Sequence, residues 1–135
     1  MAHFMKKLSL VFAAGALGGV ANSLAVWFAG HAGLTAALGV KIAPALTSAL
    51  LYPRVVWGGL WGFLFLLPLM KSKWFTRGLV FSLGPTLVQL FIVFPYKAHK
   101  GFMGFELGLL TPLCVVVFNI IWGITAALWL RWTAR

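Results

Sequence analysis

From Leu107 to Leu130 the chain runs without a single ionisable group except the thiol of Cys114, and this run decides what kind of solvent the protein can live in. At about 1.5 Å per residue an uncharged helix of that length crosses the roughly 30 Å hydrocarbon core of a bilayer. Three further apolar runs precede it. With 62% hydrophobic and 9% charged residues, the chain has too few polar side chains to cover its apolar surface in water. Lipid is therefore the expected solvent for most of the chain, and 135 residues make one domain, 1–135.

The expected fold is all-α: a small bundle of four transmembrane helices over approximately 8–29, 55–70, 78–96 and 105–130, with a short interfacial or re-entrant helix after the first. Lys6 and Lys7 ahead of Leu8–Val20 mimic a secretory signal, yet the apolar stretch continues to Phe28, so it reads as a retained membrane helix. On that helix Gly15, Gly18, Gly19, Asn22 and Ser23 share one side, a GxxxG-type face that lets another backbone approach closely.

Between His31 and Pro53, glycines and prolines interrupt the pattern. A loop followed by a short helix starting at Pro44 and covering Ala45–Leu51 is expected, with a single helix kinked at Pro53 as the competing reading. The second span is short and flanked by Arg54 and Lys71, whose long side chains can snorkel. Gly58 and Gly62 give it its own small-residue face. In the third span Gly78, Ser82, Pro85, Gln89 and Tyr96 cluster on one side, and Ser82 and Thr86 can satisfy the carbonyl that Pro85 frees. In the fourth, Gly108, Pro112, Asn119, Gly123 and Ala126 form a stripe, with Glu106 on the opposite side.

The net charge of +10 does not indicate nucleic acid, because the basic residues fall in short groups between apolar runs rather than along one face. They do bias orientation. Lys6, Lys7, Lys71, Lys73, Arg77, Arg131 and Arg135 would share one side against Lys41, Arg54, Lys97 and Lys100, which places both termini in the cytoplasm, with a bacterial inner membrane as the expected site. Trp27, Tyr52, Trp57 and Tyr96 would mark the outer interface, and Trp74, Trp129 and Trp132 the inner one.

Catalytic chemistry has little to work with. Acid-base and nucleophilic mechanisms need paired groups within hydrogen-bond reach. The chain has no Asp, one Glu, and His3, His31 and His99 only in termini or loops, so no enzyme, cofactor or metal site is expected. Cys114 reads as a small buried hydrophobe. Glu106 reads as an interfacial anchor in the first turn of the fourth helix, where a carboxylate complements the helix dipole, within reach of Lys100 or His99; the functional alternative is a proton or cation site paired with Arg54.

The uncharged amides are the stronger candidates for a buried polar core. Counting about 1.5 Å per residue, Gln89 and Asn119 reach the same depth near the midplane, and a contact between them is expected, with Asn22 about one turn further out. Two functional classes remain: an accessory or scaffold component of the bilayer, alone, as a homo-oligomer or in a larger membrane complex, and a homo-oligomeric channel or small transporter with the amides along its path. Lipid or pigment binding in glycine and aromatic grooves is a third idea that composition does not separate from the first.

Overall fold

The computed structural model describes residues 2–70 and 72–133. Lys71 and Arg135, counted in the charge asymmetry, lie outside the described residues. Four helices are long and apolar enough to cross a membrane, Ala2–His31, Ser48–Leu66, Trp74–Lys97 and Thr111–Thr133, and no strand occurs among the described residues. The chain is an all-α four-helix bundle with the make-up of an integral membrane protein. In lipid this follows from the backbone, whose N–H and C=O groups must all be satisfied within the spanning segment.

Helix α1 (Ala2–His31) is the central element. Helix α3 (Ser48–Trp61) packs along one side of it and α6 (Thr111–Thr133) along the other. The α1–α3 crossing is antiparallel and made of backbone. A methyl added to Gly15 would run into the Gly58 carbonyl, one on Gly19 into the Arg54 carbonyl, and one on Gly62 into the Val11 carbonyl. Each four-residue step forward on α1 is a four-residue step back on α3, so the small residues of both helices meet turn by turn. A second crossing of this kind joins Gly78 of α4 (Trp74–Phe81) to Gly123 of α6. Without a hydrophobic drive between helices in lipid, such close approach supplies the van der Waals contact that holds them.

The connection after α1 differs from the expected one. A single helical turn, α2 (Leu34–Ala37), does follow the first span, but Pro44 starts no helix. Residues 38–47 are irregular and pack back onto the bundle: the Thr35 hydroxyl donates to the Ile42 carbonyl at 2.7 Å, and the Lys41 N–H donates to the Leu107 carbonyl at 2.8 Å. Helix α3 then begins at Ser48 and runs through Pro53, as in the competing reading. Thr47 starts it, its hydroxyl accepting from the Leu50 N–H at 3.3 Å, and Pro53 sits close enough to this end to cost only one intrahelical bond.

The second span ends in a 3₁₀ stretch, Gly62–Leu66, well short of Met70. The carbonyls left over at that end are taken by the next span. Arg77 Nη2 donates to Phe65 O at 2.6 Å and Leu67 O at 3.0 Å, while its guanidinium lies over the Phe65 and Phe81 rings at 5.2 and 5.5 Å. A cation at a helix C-terminus is favourably placed against the dipole, and the aromatic faces compensate part of its lost hydration.

The third span is three pieces: α4, α5 (Leu83–Val88) and a π-helical stretch, Gln89–Lys97. The break at Ser82 is where Pro85 withholds an N–H one turn later. The Thr86 hydroxyl donates to Ser82 O at 2.7 Å and the Ser82 hydroxyl to Leu79 O at 2.6 Å, so both bond to backbone within the break, but neither reaches the Phe81 carbonyl that Pro85 frees.

The fourth span starts at Thr111 rather than 105. Met103, Gly104 and Gly108 hold left-handed or otherwise non-helical backbone, so Phe102–Leu107 is an irregular 3₁₀ segment outside α6. Gly108 therefore does not belong to the α6 stripe, and Glu106 is not in its first turn.

Candidate functional site

Three polar arrangements converge on the middle of α6. The deepest belongs to Trp122, 3% exposed, which stands between α1 and α3. Its Nε1–H donates to Gly15 O at 3.0 Å and to Gly58 O at 3.3 Å. Those two carbonyls face each other because the residues bearing them have no side chains, so one indole N–H reaches both. Gly18 is likewise pressed against the Trp122 ring. An aromatic side chain with a polar edge thus fills the junction of three helices and satisfies its donor there.

One turn nearer α2, Asn22 is buried and uses both ends of its amide. Its Nδ2–H donates to Phe118 O at 2.8 Å, and its Oδ1 accepts from Arg54 Nη1 at 2.6 Å. The pairing expected between Arg54 and Glu106 is absent. Arg54 turns inward to α1, whereas Glu106 is exposed, lies over Gly101, and forms no ion pair with Arg54, Lys100 or His99 among the described residues. The physical reason is the backbone of the 98–110 loop. Five positions there, His99, Gly101, Met103, Gly104 and Gly108, have positive φ, which ends helical geometry before Glu106 can be carried to α3.

On the other flank of α6, Asn119 Nδ2 donates to Thr86 Oγ1 at 3.1 Å and to Gln89 Oε1 at 3.3 Å. Gln89 and Asn119 do meet inside the bundle, though Thr86 is the nearer partner. Thr86 can accept because its own proton goes to Ser82 O. Asn22 does not join them. It attaches to α6 at Phe118, the neighbour of Asn119, but reaches it from α1, so the three amides form two separate contacts rather than one cluster.

No family model, curated protein or solved structure matches this chain.

The site is short of reactive pairs. His31 stacks on Trp27 with centroids 5.4 Å apart at an exposed position, and no group of three or more His, Cys, Asp or Glu comes together among the described residues. Cys114 is buried in α6. Trp122 escaped the sequence reading because an indole in an apolar run resembles any other core aromatic. Its one signal was position: three residues after Asn119, it lies within about 60° of that amide around the helix.

Replacing Asn119 with leucine removes both donor contacts and should cost about 1 kcal/mol, since hydrogen bonds between membrane helices average about 0.6 kcal/mol and this amide makes two. Reversible unfolding in mixed micelles measures it. A loss above about 3 kcal/mol would show that the amide holds something beyond Thr86 and Gln89.

Proposed function

We propose that this chain is a non-enzymatic accessory or structural subunit of a membrane, most simply a bacterial inner membrane with both termini cytoplasmic. The observation that carries this reading is the closed interior. Gly15 and Gly19 lie against the backbone of α3, Gly78 lies against Gly123, and Trp122 fills the junction between α1, α3 and α6. The amides that a conduction path would need, Gln89 and Asn119, bond to each other, Asn119 Nδ2 donating to Gln89 Oε1. GxxxG-type faces used within the chain leave the outer, large apolar side chains, such as Trp57, Leu60, Leu87 and Ile92, for lipid or for neighbouring proteins and copies. The basic residues at the end of the bundle that holds Lys6, Lys73, Arg77 and Arg131 support the cytoplasmic assignment of that end.

The test is reconstitution. Vesicles carrying the purified protein should pass no more ions or small solutes than empty ones, and native mass spectrometry from mild detergent should give a stoichiometric complex, with itself or with a second membrane protein. A flux that disappears on replacing Gln89 or Asn119 with leucine would overturn the reading in favour of a homo-oligomeric channel or transporter.

A further inference from the structure

Two half-buried arginines, Arg54 and Arg77, have no counter-charge among the described residues, and Arg77 is held by two backbone carbonyls. Arg54 is half-buried in the apolar second span, and its bond within the chain goes to a neutral partner, the Asn22 carbonyl oxygen. Asn22 is fixed in that orientation, because its amide N–H is committed to Phe118 O. The chain's one acid stands exposed in the 98–110 loop. An ionised side chain within a spanning segment is costly and marks a functional site by default, and one neutral hydrogen bond uses only part of a guanidinium's donor capacity.

The remaining donors of Arg54 are open. Buried, unpartnered nitrogens among the described residues include Arg77 Nε and Trp129 Nε1 but none of Arg54. Nη1 takes Asn22, which leaves Nη2 and Nε as a planar fork, the geometry that fits a tetrahedral or planar oxyanion with two parallel bonds. Depth narrows the choice. The Arg54 carbonyl lies beside Gly19, but the guanidinium reaches Asn22, three residues further along α1, so the side chain extends toward the bundle end that carries α2 and the 98–110 loop. Exposed Tyr52 and Trp57 flank it on α3, amphipathic rings of the kind that sit at the headgroup level.

We propose that Arg54, oriented by Asn22, binds a phosphate oxyanion, supplied either by the headgroup of an anionic phospholipid or by free phosphate. The site is independent of the accessory reading above, since it requires neither a partner protein nor a closed interior.

The experiment uses the full chain, delipidated in a zwitterionic detergent, with native mass spectrometry during titration by phosphatidylglycerol or phosphatidylcholine. In parallel, the protein in phosphatidylcholine nanodiscs is titrated with inorganic phosphate and followed by phosphorus NMR. Wild type should bind at least one of the two phosphate probes roughly tenfold or more tightly than Arg54→Gln, the loss of a charge-assisted pair. Preference confined to phosphatidylglycerol assigns the headgroup; response to inorganic phosphate assigns the free anion. A second variant, Asn22→Asp, keeps an acceptor facing Arg54 and supplies an internal carboxylate, so it should lose phosphate binding to the same degree while the guanidinium stays in place. Equal binding of both probes by wild type and both variants, with unchanged helicity, would overturn the proposal.

Discussion

Replacing Trp122 with alanine is expected to cost about 3–5 kcal/mol of stability, the range for deleting a large buried aromatic. In lipid the loss does not come from exposing apolar surface to water. It comes from the vacated volume between Gly15, Gly18 and Gly58, whose backbones were drawn to the indole and have no side chains with which to fill the gap. Trp122→Phe separates the two contributions. It keeps most of the volume and removes the N–H, so it should cost only about 0.6–1.7 kcal/mol. Titration with a denaturing detergent in mixed micelles measures both. If Trp122→Ala unfolds within about 0.5 kcal/mol of wild type, Trp122 is not the junction between the three helices.

Gly15→Leu should have an effect of the same size by the opposite mechanism. The obstacle at Gly15 is the Gly58 carbonyl with the backbone of Gly62 beside it, and backbone cannot swing aside as a flexible side chain can. The two helices must separate, at a cost of about 3 kcal/mol or more, the upper end of overpacking penalties. The damage should be local at first. Helix α3 leans chiefly on α1, whereas α1 also packs on α6 and α6 on α4, so α3 is the element released. Trypsin should then cut after Arg54, whose backbone is held in helix α3 against α1 in the wild type. Leu17→Ala, at an outward position 39% exposed, is the control and should leave both stability and cleavage unchanged. Equal cleavage of Gly15→Leu and wild type would mean that the glycine crossing does not hold α3.

How far this structure could be read from the chain depends on the kind of contact. The Gln89–Asn119 meeting followed from equal depth on adjacent helices, and depth is set by a rise per residue that every helix shares. That Thr86 stands nearer than Gln89 depends on the break at Ser82 and the π-helical turn that follows, which shift the third span by amounts no periodicity records. Arg54 and Asn22 were each conspicuous, one as a charge beside a span and one as an amide within a helix. Their pairing was hidden, because it required the α1–α3 register, and that register is set by where glycine backbones touch. The Arg54–Glu106 pair failed for a related reason. Opposite signs at similar depth suggested it, but the left-handed residues between His99 and Gly108 hold Glu106 in a loop.

By itself, then, the sequence determined the solvent, the number of spans and the all-α class. Each of these follows from composition and run length, through the single requirement that backbone polar groups in lipid be satisfied within a helix. The tertiary structure alone decided which atom each polar side chain meets. Glycine faces permit close approach without specifying a partner, and only the packed crossings, Gly15 on Gly58 and Gly78 on Gly123, fix the rotation that brings Trp122 to two carbonyls and Arg54 to Asn22.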